Sequence, residues 1–175
     1  MAEKKTSYNT AADDFRTPNS LYEKLKNKYG PFDIDLCASK ENTKCDKYYT
    51  KEDDCLKKDW NGICWCNPPY AVPTAKRVKG IVDLFIKKGL EEIEKNPKCK
   101  KICYLIPCKP DVAYYHDFIF PNASEIIFIK GRPNFSGPHS CSKAAGCRTP
   151  IAAIIFDKDK MGLNKYSTMS WLSNK

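Results

Sequence analysis

Two adjacent prolines limit what the middle of this chain can become. Pro68 and Pro69 follow the short apolar run of residues 63–66, with Asn67 before them and Tyr70 after them. Proline fixes its own φ and lacks an amide donor, so it ends regular hydrogen-bonded structure. The apolar run is therefore predicted to be a short strand that ends at this tetrapeptide.

Helix signals lie on both sides of the tetrapeptide. Leu21, Leu25 and Tyr29 share one helical face, with Asn19 or Ser20 as the predicted cap and Gly30 as the predicted end. A longer apolar pattern with helical spacing runs over residues 78–93 and is broken by the Asn-Pro pair at 96–97. A short helix is expected over residues 111–120.

Strand signals alternate with these helices. Besides residues 63–66, the predicted strands are residues 32–37, 102–106, 125–129 and 151–156. This alternation predicts an α/β fold, a small Rossmann-like domain with a mostly parallel sheet and helices on both faces. Because no helix signal separates the last two strands, we expect them to pair antiparallel. Ligands of such sheets bind at the carboxyl ends of the strands.

The chain is long enough for one domain with a proper core, since 42% of its 175 residues are hydrophobic. We place that domain at residues 15–157, after a loose segment of residues 1–14 and before a tail of residues 158–175. The end of the chain, residues 157–175, is expected to be a flexible tail or a short helix. No signal peptide or membrane span is apparent, so the protein is expected to be intracellular, in the cytoplasm or wherever the genome is, and not secreted. The ten cysteines are expected to be reduced.

The tetrapeptide also predicts the type of reaction that the protein catalyses. The side-chain oxygen of Asn67 and the carbonyl of Pro68 can face one point as acceptors, because Pro68 and Pro69 remove two backbone donors. An amino group at that point donates both hydrogens, which frees its lone pair to attack an electrophilic methyl. Tyr70 offers a face on which a base can stack. The plainer alternative is a Pro-Pro turn that leaves a strand, with Tyr70 as a rim aromatic.

The tetrapeptide resembles the catalytic signature of amino-group methyltransferases, and the wider pattern resembles the phage-type DNA adenine (Dam-like) methyltransferases. The segments that carry the resemblance are residues 14–18, 32–39, 42, 44–45, 48–54, 59–60, 67–70, 129–132 and 150–156. The resemblance implies transfer of a methyl group from S-adenosylmethionine to the exocyclic amino group of adenine in double-stranded DNA. No metal is needed for that transfer, because the cofactor supplies the electrophile.

The resemblance further implies a set of cofactor-binding residues, which are Thr17, Pro18, Asp35, Cys37, Ala38 and Asp54. Thr17 would help to hold the methionine part, and Asp54 the adenine ring of the cofactor. Residues 35–40 contain no glycine, whereas many methyltransferases have a glycine-rich loop there. The alternative for Asp53 and Asp54 is a solvated charge pair.

A basic surface is expected to contact DNA, since Lys and Arg outnumber Asp and Glu by 30 to 21 and the net charge is +9. The loop of residues 131–149 is the candidate, and the predicted DNA-binding residues are Lys109, Lys130, Arg132, Lys143 and Arg148. A solvated basic surface is the alternative for each of them.

Other assignments compete with this interpretation. His139, Cys141 and Cys147 could form a zinc site, but they lack the usual paired spacing, so we expect no metal. Cys64 or Cys66 could act as a nucleophile on cytosine, which needs a reactive thiolate. The enzyme could methylate another amino group, in RNA or protein, or the chain could be a DNA-binding module without catalysis.

Overall fold

The structure, a computed structural model, describes residues 16–70, 81–137 and 149–172. Within these residues, six strands form one sheet. The strands are β1 (Ile34–Asp35), β2 (Gly62–Cys66), β3 (Cys99–Pro107), β4 (Glu125–Lys130), β5 (Ile151–Asp157) and β6 (Lys165–Ser170). The helices are α1 (Asn19–Tyr29), α2 (Ile81–Lys95) and the short α3 (Phe120–Asn122), which follows a π-helical turn at Tyr115–Ile119; short 3-10 turns lie at Cys55–Lys57 and Lys158–Lys160.

The sheet has the strand order β1-β2-β3-β5-β4-β6. Strands β1, β2 and β3 are parallel, β5 is antiparallel to both of its neighbours, and β6 is parallel to β4. The expected antiparallel pairing of the last two predicted strands is therefore confirmed. Because β1, β2, β3 and β4 all run in one direction, their carboxyl ends lie at one edge of the sheet. The Rossmann-like α/β fold class is confirmed as well.

Helix α1 covers one face of the sheet. Its buried side chains, Leu21, Tyr22, Leu25 and Tyr29, join a core with residues such as Trp65, Cys103 and Leu105. Its apolar stripe recurs every three or four residues, as an amphipathic helix requires. We call this the α1-side core.

Of the two predicted ends of α1, the C-terminal one is confirmed and the N-terminal one is wrong. The helix ends at Gly30, whose N–H donates to the carbonyl of Lys26 over 2.8 Å. Its N-cap is Pro18, so the choice of Asn19 or Ser20 was wrong. The physical reason is competition, because the Asn19 carboxamide accepts from Lys44 Nζ and the Ser20 hydroxyl donates to the carbonyl of Trp171.

Helix α2 covers the other face, which confirms helices on both faces of the sheet. Ile81, Phe85 and Ile86 are buried against residues of β2, β3 and β5, in what we call the α2-side core. Gly89 permits this close approach, since a Cβ there would lie 1.7 Å from the hydroxyl oxygen of Tyr104. The helix ends at Lys95, just before the Asn-Pro break, while residues 71–80 lie outside the described residues.

The end of the chain differs from the expectation. Residues 165–170, expected in a flexible tail or a short helix, form β6 on the edge of β4 instead. Lys24 of α1 fixes this strand, because its Nζ donates to the carbonyl of Ser170 over 2.9 Å and to that of Leu172. The signal was missed because β6 is largely exposed and polar, so its sequence carries little apolar alternation. Residues 1–14 lie outside the described residues, and the domain boundaries remain predictions.

Candidate cofactor and catalytic site

A cavity of about 440 Å³ opens at the carboxyl ends of β1 and β2. Its wall consists of the loop after β1, the turn that precedes β2, the tetrapeptide and one residue of α2. The lining residues are residues 36–42, residues 50–52, Asp54, Cys55, Asn67, Pro69 and Phe85. This is the edge at which a parallel sheet places its ligands, and the volume suits a small organic molecule, for which about 300–1,000 Å³ is usual.

A second, much smaller cavity of about 30 Å³ adjoins the first. Thr17 and Asp35 line it, and Cys37 and Asn67 line both cavities. Of the predicted cofactor residues, Cys37, Ala38 and Asp54 line the large cavity, and Thr17 and Asp35 the small one. Pro18 lines neither cavity but forms the N-cap of α1.

Asp35 shapes the loop that forms much of the cavity wall. Its carboxylate is almost fully buried and accepts the backbone N–H groups of Cys37, over 3.2 Å, and Lys44, over 3.0 Å. Burial raises the pKa of Asp35 to about 6, against the opposing effect of these two hydrogen bonds. One carboxylate thus pins two points of the loop, which lie 2 and 9 residues after Asp35.

The loop after β1 needs no glycine. Among the residues that the structure describes, the non-glycine residues with positive φ are Asp54 and Asn164. Residues 35–40 therefore reach the cavity with ordinary backbone conformations, and the small side chains of Ala38 and Ser39 line it. The absence of a glycine-rich loop is thus compatible with an open cavity.

The two neighbouring acids Asp53 and Asp54 have different surroundings. Asp53 is exposed and accepts the backbone N–H and the hydroxyl of Thr50, both over 2.8 Å, so it stabilises a turn. Asp54 lines the large cavity in a left-handed conformation with φ of 51°. Its carboxylate lies 3.2 Å from Lys57 Nζ. Asp53 thus has a local structural role, whereas Asp54 faces the cavity, and its contact with the cofactor stays a prediction.

Trp60 anchors the turn that carries Asp54. Its indole N–H donates to the carbonyl of Cys55 over 2.8 Å, and its backbone N–H donates to the buried carboxylate of Glu92 over 3.0 Å. Trp60 is itself fully buried in the α2-side core. The position of Asp54 at the cavity is therefore fixed from the core.

The tetrapeptide starts where β2 ends. The Asn67 carboxamide is held on both sides, because its Nδ2 donates to Thr17 Oγ1 over 3.3 Å and its Oδ1 accepts from the Tyr70 hydroxyl over 2.6 Å. The Tyr70 hydroxyl also lies 2.8 Å from the carbonyl oxygen of Leu105 on β3. The Tyr70 ring packs against both cores, so the aromatic is turned inwards.

Three thiols meet beside the cavity. The sulfur of Cys37 lies 3.9 Å from those of Cys55 and Cys66. Burial raises the pKa of Cys37 well above its usual value and that of Cys66 to about 11, so both are neutral thiols near pH 7. This disfavours Cys66 as a nucleophile.

The predicted basic residues that can be placed lie at the same edge of the sheet. Lys109 follows the end of β3, Lys130 ends β4, and Arg132 follows it, all with exposed side chains. Lys143 and Arg148 lie outside the described residues, as do His139, Cys141 and Cys147. Within residues 16–70, 81–137 and 149–172, no cluster of three or more His, Cys, Asp or Glu side chains could hold a metal ion.

Some lining residues had no predicted role. Phe85 reaches the large cavity from α2, and a helical apolar pattern cannot tell a core position from a cavity wall. Asn42 lines both cavities and accepts the backbone N–H of Ser39 over 2.7 Å. Position 42 belongs to the segments that carry the family resemblance, and this was the one signal that could have pointed to Asn42.

Comparison with known proteins shows to which family the chain belongs. The sequence model of the family described as DNA N-6-adenine-methyltransferase (Dam) matches residues 4–173. The chain belongs to this family. The family membership confirms the resemblance that was drawn from the tetrapeptide and the segments around it, and it implies a methyl donor.

Two phage relatives named DNA N-6-adenine-methyltransferase can be aligned with this member of the Dam family. The protein of Escherichia phage T1 is 37% identical over 120 residues, which cover 67% of this chain and 45% of the relative. The protein of Haemophilus phage HP1 is 30% identical over 99 residues, which cover 56% of this chain and 50% of the relative. The chain thus spans about half the length of these relatives. In the part of the chain that the structure describes, no helix has the length and apolar character of a membrane span.

Proposed function

We propose that this protein is a DNA adenine methyltransferase, which transfers a methyl group from S-adenosylmethionine to the exocyclic amino group of adenine. One observation carries the proposal. Asn67, the first residue of the tetrapeptide, lines both cavities and directs its carboxamide oxygen to the hydroxyl of Tyr70. A ligand cavity and a hydrogen-bond acceptor for an amino group therefore meet at one side chain.

The large cavity suits the proposed methyl donor. Leu36 and Phe85 offer apolar surface for a flat ring, and Asp54 offers an acceptor for an amino or hydroxyl group. Glu41 and Glu52 add further carboxylates, and Lys40 and Lys51 add two cations, so with Asp54 the acidic side chains of the lining outnumber the basic ones by three to two. S-adenosylmethionine supplies a methyl group bound to a positively charged sulfur. The residues present therefore fit this cofactor by size and polarity.

The tetrapeptide supplies the groups that would bind the target base. Adenine has to leave the duplex to reach Asn67, at a cost of a few kcal/mol. Asn67 Oδ1 then accepts one hydrogen of the amino group, and the Pro68 carbonyl accepts the other. These bonds would orient the nitrogen lone pair to form the new bond to the methyl group, the electrons of the broken carbon–sulfur bond would stay on sulfur, and the amino nitrogen would release one proton to solvent. The Tyr70 hydroxyl, which now donates to Asn67 Oδ1, has to move away, and the Tyr70 ring then stacks on the base.

The DNA is proposed to lie along the carboxyl edge of the sheet. Lys109, Lys130 and Arg132 are exposed at that edge. Lys109 follows β3, the neighbour of β2, whereas Lys130 and Arg132 lie at the end of β4, which β3 and β5 separate from β2. Positively charged side chains bind the phosphate backbone and release its counterions. The basic surface and the acceptor site thus share one edge.

The proposal is tested by transfer of a labelled methyl group from S-adenosylmethionine to unmethylated double-stranded DNA, followed by nucleoside analysis. We expect the label on the amino group of adenine, and a transfer rate lower by about two to three orders of magnitude with Asn67→Ala. Parallel reactions contain RNA or protein in place of DNA. Label on RNA or protein alone would support a methyltransferase for another amino group. DNA binding without any transfer would support an inactive DNA-binding module.

A further inference from the structure

The Asn67 carboxamide has to face one way for the proposed reaction. Its oxygen can accept a hydrogen from the target amino group, whereas its NH₂ group can only donate. A carboxamide rotated by 180° would place donors against donors and could not orient the base. Something in the protein therefore has to hold the observed orientation, with Oδ1 available to the base, when the base enters.

Tyr70 cannot do this during the reaction. Its hydroxyl has a single hydrogen, but it lies near two oxygens, Asn67 Oδ1 at 2.6 Å and the carbonyl oxygen of Leu105 at 2.8 Å. A carbonyl oxygen only accepts, so one hydrogen is divided between two acceptors. Moreover, the target amino group needs Asn67 Oδ1, and Tyr70 has to release it.

Thr17 contacts the opposite side of the carboxamide. Its Oγ1 accepts from Asn67 Nδ2 over 3.3 Å, and the residue is 5% exposed. A base that replaces the Tyr70 hydroxyl approaches Oδ1, so the contact between Thr17 and Nδ2 can persist throughout the reaction.

The backbone holds Thr17 in place from both sides. Arg16 pairs with Ser136 through two hydrogen bonds, of 2.7 and 3.2 Å. Pro18 starts α1, and its carbonyl accepts the N–H groups of Leu21 and Tyr22. A hydroxyl on such a fixed segment can act as a preorganised partner.

We infer that Thr17 is a positioning residue that fixes the Asn67 carboxamide with its nitrogen toward Thr17 and its oxygen toward the target amino group. This inference rests on the proposed function. It gives Thr17 a second task beside the cofactor contact that the resemblance implies. Thr17 acts on the reaction through Asn67, without touching the base.

The first test needs neither cofactor nor DNA. The side-chain amide of Asn67 is observed by ¹H–¹⁵N NMR and assigned by its loss in Asn67→Asp. Thr17→Val keeps the shape of the side chain but removes the hydroxyl, so exchange of the Asn67 amide hydrogens with water should be faster by about fivefold or more. Thr17→Ser keeps the hydroxyl and should restore slow exchange. Unchanged exchange in Thr17→Val overturns the inference.

The second test separates positioning from cofactor binding. Single-turnover methyl transfer is measured at saturating S-adenosylmethionine and DNA, and the Kd of the cofactor by calorimetry. Thr17→Val should lower the transfer rate by about tenfold, with a change in cofactor Kd of about twofold or less, and Thr17→Ser should recover most of the rate. A weaker cofactor Kd with a normal rate at saturation means that Thr17 only binds cofactor, which also overturns the inference.

Two further results decide how these tests are interpreted: misfolding of a variant and an inactive wild-type protein. Melting curves show whether Thr17→Val folds, and Thr17→Ala replaces it if it does not. If the wild-type protein transfers no methyl group to DNA, the proposed function fails, while the NMR result still decides whether Thr17 orients the carboxamide.

Discussion

The hydroxyl of Tyr70 lies 2.6 Å from Oδ1 of Asn67 and so occupies the acceptor that the target amino group would use. A base that enters the site has to displace this hydroxyl. The exchange gives up hydrogen bonding of the hydroxyl, at about 0.5–1.5 kcal/mol net for each bond, and part of the packing of the ring against the two cores, while stacking of a base on an aromatic ring contributes about 1–3 kcal/mol. Under the proposed function, the Tyr70 hydroxyl would compete with the target amino group, and the ring would stack on the base only after it has moved.

Tyr70→Phe tests this exchange. The variant keeps the ring but removes the competing hydroxyl, so KM for DNA should fall, by up to about tenfold, while kcat is retained. Tyr70→Ala removes the stacking surface as well and should be badly impaired. Steady-state kinetics over a range of DNA concentrations gives both constants. A Phe variant as impaired as the Ala variant would mean that the hydroxyl itself is required.

Asn67→Ala tests the acceptor. It leaves both prolines in place but removes the oxygen, and losing one preorganised electrostatic partner typically costs about 3–4 kcal/mol, or two to three orders of magnitude in rate. Asn67→Asp keeps an acceptor at the same place and should retain some activity. Transfer of labelled methyl groups measures the rates, and calorimetry checks that both variants still bind the cofactor. A near-normal rate in Asn67→Ala would refute the assignment.

Asp54 is expected to affect ligand binding and stability separately. Asp54→Gly relieves a left-handed conformation, which costs about 1–3 kcal/mol in a residue with a side chain, but it makes the unfolded chain more flexible, at about 0.5–1 kcal/mol. The ion pair with the exposed Lys57 adds little. The melting temperature should therefore hold or rise, whereas the affinity for S-adenosylmethionine should fall. Asp54→Ala is the matched comparison, since it should lose affinity and also melt earlier.

The sequence was sufficient for the elements with strong patterns. The helix with Leu21 and Leu25 was predicted because its buried apolar residues recur with the helical period, and the strand at residues 63–66 because a continuous apolar run ends at two prolines. The strand at residues 165–170 was not predicted, because it pairs with the edge of β4 through backbone hydrogen bonds and carries no clear side-chain pattern. The inward position of Tyr70 was beyond the sequence too, because it depends on Leu105, which lies 35 residues away and reaches Tyr70 only through the pairing of β2 with β3.

Asp35 should make the free energy of unfolding depend on pH. Its folded pKa of about 6 lies above the unfolded value, so the folded protein holds this proton more tightly. The stabilising contribution is therefore complete below about pH 4 and is lost as the pH rises through 6, by up to about 3 kcal/mol. Urea unfolding of the wild type and of Asp35→Asn between pH 4 and 7 isolates the effect. The difference between the two should decline over this range, and a constant difference would contradict the raised pKa.

Charge reversal at the carboxyl edge should weaken DNA binding in a salt-dependent way. Lys109→Glu and Lys130→Glu each replace an exposed cation beside the proposed path of the DNA. Each phosphate contact that is lost should make the plot of log K against log salt concentration shallower by about 0.9. The matched control is Lys98→Glu, which changes the charge equally but lies at the opposite edge, just before β3 begins. Fluorescence anisotropy with a labelled duplex at several salt concentrations measures the slopes. If Lys98→Glu changed the slope as much as the two edge variants, binding would follow net charge alone, and the carboxyl edge would not be the contact surface.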